Sequence, residues 1–103
     1  MGNIESRTYT GMRLKARTDS NQAAIVAALR SQGCLVFCLS SVGKGLPDLL
    51  VKLPGGQLTL VEVKSCRGRL TPDQERFHAQ WPVVVVRSPA EAEDLAKGGN
   101  FSR

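Results

Sequence analysis

The sequence predicts an α/β domain, a mixed β-sheet flanked by helices in the order α-β-β-β-α-β-α. Three observations predict it. Two helix starts late in the chain, Thr71-Pro72-Asp73-Gln74 and Ser88-Pro89-Ala90-Glu91, each put proline at the first helical position of a capping-box pattern. Between them, Val83 to Val86 is a continuous apolar run, the mark of a strand buried on both faces. Upstream, Pro54-Gly55-Gly56 separates two apolar stretches, as a hairpin turn would.

The elements follow in order. Residues 1–18 are polar and basic, with no firm hydrophobic period, and read as an arm ordered against a partner. Asp19 or Ser20 can cap a helix through Ser31; Ile25, Val26 and Leu29 are its apolar positions and Gly33 suits its end. Residues 34–39 read as a strand, and 40–45 as a loop open to close backbone approach. Residues 48–53 and 57–64 form the two arms of the hairpin. The helix begun at Pro72 carries Phe77 and Trp81 one turn apart and stops before Pro82. A strand, a helix and a strand imply a right-handed crossover with parallel pairing. The last helix runs from its Ser88 cap to about Lys97, leaving a body over 19–97 and a tail over 98–103.

With 103 residues, the chain has room for one core and no second domain. Its longest apolar run, over 82–86, falls far short of the roughly 18 residues of a membrane span. No basic-then-apolar leader opens the sequence, so a cytoplasmic protein is expected. The net charge of +5 suits a polyanionic partner such as nucleic acid. Three cysteines without CxxC spacing argue against a disulfide scaffold and a zinc site. Cys34 and Cys38, four apart, read as small core residues on one strand face. The single histidine, His78, reads as a solvated or structural residue of the second helix.

Three polar residues stand out in the hairpin. Alternation along the third strand puts Val61 and Val63 on one face, and Leu58, Leu60, Glu62 and Lys64 on the other. Counting back from the turn brings Asp48 near the level of Lys64, so the three side chains converge. A surface salt bridge accounts for such a trio. So does a hard-cation site, with two carboxylates and a backbone carbonyl around Mg²⁺ or Mn²⁺ and the ammonium beside it.

The string Pro47-Asp48, a gap of one hairpin, then Glu62-Val63-Lys64 resembles the PD-(D/E)xK nuclease signature. With Gly68-Arg69-Leu70-Thr71-Pro72-Asp73-Gln74 and Val83-Val84-Val85-Val86-Arg87-Ser88, the resemblance extends to the small stand-alone VRR-NUC branch of that superfamily, over residues 19–97. It implies a restriction-endonuclease-like sheet. It also implies Asp48, Glu62 and the carbonyl of Val63 as metal ligands, Lys64 as the group that orients or deprotonates the attacking water, and Gln74 beside the metal. The capping box accounts for Gln74 equally well. Where superfamily members often carry a glutamate in the first helix, this chain has Gln22, which can hold a metal-bound water but adds no charge.

The function implied is a Mg²⁺- or Mn²⁺-dependent, structure-selective DNA endonuclease. Small VRR-NUC proteins resemble Holliday-junction resolvases, which implies a homodimer on branched DNA in a bacterial or phage-infected cell. Ser41, Lys44, Arg67, Arg69 and the arm residues Arg7, Arg13, Lys15 and Arg17 are the expected phosphate contacts. A nuclease of flaps or nicked duplex, and an inactive DNA-binding module of the same fold, are the competing readings.

Overall fold

A computed structural model describes residues 20–43 and 45–98. The expected arm, with Arg7, Arg13, Lys15 and Arg17, lies outside the described residues, as does Lys44. Seven elements follow the expected order: α1 (Ser20–Ser31), β1 (Leu35–Cys38), β2 (Leu49–Lys52), β3 (Leu58–Val63), α2 (Pro72–Gln80), β4 (Val83–Val86) and α3 (Pro89–Ala96). β4 spans its expected run, while β1, β2 and β3 each stop one residue short of the expected bounds at either end. The Leu39 amide still donates to the Asp48 carbonyl, and the Leu53 amide to the Gln57 carbonyl, just beyond them.

Among the described residues four strands form one sheet in the order β1-β2-β3-β4. β1 and β2 pair antiparallel, as do β2 and β3, while β3 and β4 are parallel. The parallel pair is what the helical crossover through α2 requires. Among the described residues β4 is an edge strand; Val83 and Val86 are buried and Val84 and Val85 half-buried.

Local chemistry sets the helix ends. Past Ser31 the chain reverses through Gly33, with the Cys34 amide donating back to the Leu29 carbonyl at 3.1 Å. Thr71 closes both halves of the α2 capping box with Gln74, and the Ser88 hydroxyl accepts from the Glu91 amide to cap α3.

The core lies between one face of the sheet and the pair α1 and α3. Ile25, Ala28 and Leu29 meet Leu49, Val51, Val61, Val63 and Val86 there, joined by Ala92 and Leu95. Each fully buried branched side chain in such a core contributes roughly 1.5–3 kcal/mol. Cys34 belongs to this cluster, whereas Cys38 is exposed at the end of β1, the outer strand of the sheet; the expectation of two core cysteines holds for the first alone. The opposite face carries Glu62, and α2 lies over it. Among the described residues no helix is long and apolar enough to cross a membrane.

Candidate active site

Asp48 stands one residue before β2, and the pairing Leu49 with Val61, carried back by one, puts it opposite Glu62. The count from the turn is thus corrected by two residues, from the level of Lys64 to that of Glu62. The reason is that Leu53 and Gln57 close the turn as a pair, through the Leu53 amide and the Gln57 carbonyl at 2.8 Å. The Asp48 carboxylate also extends the ladder: its Oδ2 accepts from the Val63 amide at 2.8 Å. A side chain thereby ties the start of β2 to the end of β3.

Glu62 is 1 % exposed, although it is an acid on a strand of valines and leucines. Its Oε2 accepts from the Gln74 side-chain amide at 3.1 Å and lies 4.0 Å from the Lys64 ammonium. Its Oε1 is buried without a hydrogen-bond partner. Burial, then the adjoining charge and hydrogen bond of Asp48, push the Glu62 carboxyl up to about 8, and the nearby Lys64 opposes this only in part.

Gln74 reconciles two explanations that the sequence left side by side. Its Oε1 accepts from the Thr71 amide at 2.9 Å, completing the cap, while its Nε2 reaches Glu62. One side chain starts the helix and holds the acid. Gln22 also turns toward the site: its amide donates to the Ser40 hydroxyl at 3.2 Å, and Ser40 in turn faces Asp48 Oδ1 at 3.4 Å. Asp48, Glu62, Val63, Lys64, Gln74 and Gln22 therefore gather at one end of the sheet. Ser41 is exposed in the turn before Asp48, and Arg67 and Arg69 are exposed in the loop after β3, at the rim.

Four participants escaped the sequence reading, Ser40 among them. Asn21 donates from Nδ2 to the carbonyls of Lys64 at 3.0 Å and Arg87 at 3.3 Å, joining α1 to the ends of β3 and β4. Arg87 donates to the carbonyls of Ser65 at 2.7 Å and Gly68 at 2.8 Å, bracing the loop that carries Arg67. His78, expected to be solvated or structural, has its Nε2 3.8 Å from Glu62 Oε1. Its position was visible as one helical turn beyond Gln74, but nothing local said which way that helix face would turn.

No cluster of three His, Cys, Asp or Glu side chains poised around a metal ion occurs among the described residues. Two carboxylates set opposite each other, one of them buried, nevertheless fit a hard divalent cation. Forcing two like charges together is costly without a counterion, and oxygen donors match Mg²⁺ or Mn²⁺, which keep several waters as further ligands.

A model of the VRR-NUC domain family matches residues 5–81. A nuclease-named protein, p44 of Acyrthosiphon pisum secondary endosymbiont phage 1, is 40% identical over 65 residues, which are 62% of this chain and 70% of that protein. A solved structure described as a VRR-NUC domain superposes with a TM-score of 0.59 at 35% identity, over 74% of this chain and 89% of that one.

Proposed function

The chain belongs to the VRR-NUC family of the PD-(D/E)xK superfamily, and from that premise we propose that it is a divalent-cation-dependent DNA endonuclease whose site is Asp48, Glu62, Lys64 and Gln74. The observation that carries the reading is the buried Glu62 set opposite Asp48 and reached by Lys64 and Gln74. A structural salt bridge would leave its carboxylate exposed or fully paired; this one is neither.

Asp48, Glu62 and the Val63 carbonyl would hold the ion. A bound Mg²⁺ or Mn²⁺ supplies Lewis-acid stabilisation of the charge that grows on the phosphate oxygens. The protein's own groups do the rest. The Lys64 side chain, 16% exposed, reaches from the mouth of the site to 4.0 Å from Glu62. There its ammonium offsets phosphate charge and orients the attacking water. Water loses a proton and adds to phosphorus as one P–O ester bond breaks, and the leaving oxygen takes up a proton to end as a hydroxyl. Gln74 keeps Glu62 aimed, and Ser40 with Gln22 steadies the far oxygen of Asp48. Arg67 and Arg69, both exposed, would meet phosphates, with Ser41, Lys44 and the basic residues of 1–18 as further contacts.

The finer reading is cleavage of four-way junctions by a homodimer inside a bacterial or phage-infected cell. Two-fold symmetric cutting of a symmetric junction needs two sites related by a two-fold axis. Leu35 and Phe37, each 66% exposed, and Leu58, 64% exposed, offer an apolar surface for pairing.

The test is a panel of four-way junction, flap, nicked duplex, linear duplex, single-stranded DNA and RNA, each with Mg²⁺, Mn²⁺ or EDTA. Junction cleavage that needs metal and disappears in Lys64→Ala is the expected result. Preferred cutting of flaps or nicks overturns the junction assignment. Binding with no cleavage of any substrate overturns the enzyme reading and leaves a DNA-binding module, in which Gln22 in place of an acid would be one cause.

A further inference from the structure

Glu62 Oε1 and His78 Nε2 are the two buried side-chain atoms without a hydrogen-bond partner among the described residues, and they face each other at 3.8 Å. That distance is longer than a hydrogen bond and leaves a poor fit for a bridging water, which wants about 2.8 Å to each side. The side chains are 2% and 13% exposed, so solvent does not supply the missing bonds.

Geometry extends the pattern. Gln74 and His78 are four apart on α2 and so lie one above the other on the same helix face. Gln74 already holds Glu62 Oε2. His78 stands over the other oxygen of the same carboxylate. We propose that His78 is a positioning residue that donates from Nε2 to Glu62 Oε1, so that two successive turns of α2 grip the acid by one oxygen each. A small rotation of either side chain closes the gap. The consequence for cleavage rests on the nuclease reading above; the hydrogen bond itself does not.

The carboxylate of Glu62 is thereby fixed in rotation as well as in place. Lone pairs not engaged by α2 are left pointing toward Asp48, where a cation would sit. Without His78, Gln74 alone would allow the carboxylate to turn about its last bond.

Two measurements on the full chain test this. The first is the nitrogen-15 spectrum of the imidazole, which needs no assignment because the sequence has one histidine. A protonated Nε2 with a visible, slowly exchanging proton is expected with and without Mg²⁺. An unprotonated Nε2, or an Nε2 proton exchanging as fast as in a free imidazole, overturns the proposal. The second compares His78→Leu, which keeps bulk but not the donor, with His78→Gln, which restores an amide donor. His78→Leu should lower kcat by about 10- to 100-fold, as removal of a ligand-orienting hydrogen bond typically does, with KM for DNA unchanged. His78→Gln should recover most of that activity. Wild-type kcat in His78→Leu, or no recovery in His78→Gln, overturns the proposal. If the imidazole shows the held proton but the wild-type protein cuts nothing, the nuclease reading fails and the grip on Glu62 stands. If the protein cuts DNA with Nε2 unprotonated, the nuclease reading stands and the grip fails.

Discussion

Glu62 is the residue on which stability and chemistry meet. In the fold its carboxyl is raised from the ordinary 4.5 to about 8, mainly by burial and then by Asp48. The folded state therefore keeps a proton that the unfolded chain gives up, so the apo protein should lose stability as pH rises from about 4.5 to about 8. The slope is at most ~1.4 kcal/mol per pH unit for one group. Urea unfolding in EDTA across that window should show the decline in wild type and a flatter profile in Glu62→Gln; equal slopes would remove Glu62 as the cause. At the alkaline end saturating Mg²⁺ should restore stability, because an ion that binds only the folded state stabilises it by mass action. Asp48→Asn removes the like charge while its amide oxygen can still accept from the Val63 amide. Its melting temperature in EDTA should equal or exceed that of wild type, with no gain from Mg²⁺ and no cleavage. A drop in EDTA together with indifference of the wild type to divalent ions would return the trio to a structural salt bridge.

Among the elements, α2 matters most to the site, although none of its residues is fully buried. Its start is held against the loop before Asp48, and its end is stiffened from within. At its start, the loop before Asp48 packs so closely that a Cβ on Gly45 would lie 2.7 Å from the Asp73 carbonyl oxygen. At its end, Phe77 and Trp81 stack with ring centroids 5.6 Å apart. Gly43 and Gly45 share a positive φ, 75° and 79°, but around Gly43 a Cβ would meet nothing within 4 Å. Gly43→Ala should therefore show the backbone penalty alone, on the order of 1 kcal/mol. Gly45→Ala should cost clearly more and also slow cleavage, since it pushes the loop leading to Asp48 away from α2. Thermal melts and cleavage rates of the two variants side by side check this. Equal destabilisation would mean that the close approach does not constrain the site.

At the scale of the molecule, charge and symmetry decide how DNA would be held. Deleting residues 1–17 removes three net positive charges. Binding should weaken, and its dependence on salt should become shallower by up to about 0.9 log units for each phosphate that the shortened chain no longer neutralises. Titrations of junction DNA at several salt concentrations measure the slope, and an unchanged slope would show that the segment touches no phosphate. The proposed homodimer makes its own demand on the sheet face bearing Leu35, Phe37 and Leu58. Phe37→Asp should shift the mass in sedimentation from dimer to monomer and leave the monomer folded, because Phe37 is two-thirds exposed and outside the core. A wild-type chain that sediments as a monomer, free and on DNA, would end the homodimer reading.

The order of elements was legible in the sequence because its signals are local. A capping box, a proline at the first helical turn or a Pro-Gly-Gly turn acts over three or four residues and keeps its meaning wherever the chain goes. Strand alternation likewise showed that Glu62 shares a face with Leu60 and Lys64. The pairing of Asp48 with Glu62 was nearly legible, and failed by two residues because a turn's closing pair depends on its geometry as well as its length. Resemblance supplied the proposed roles of Asp48, Glu62, Lys64 and Gln74; the tertiary structure supplied their surroundings. That Gln74 both caps and reaches Glu62, that Asn21 spans 43 residues to the Lys64 carbonyl, and that His78 turns toward Glu62 all follow from how α1 and α2 lie on the sheet. No local signal encodes that placement, because it results from burying apolar faces contributed by distant parts of the chain. The same burial makes Glu62 hold its proton to about 8, since removal of water, more than any neighbour in sequence, sets the cost of its charge.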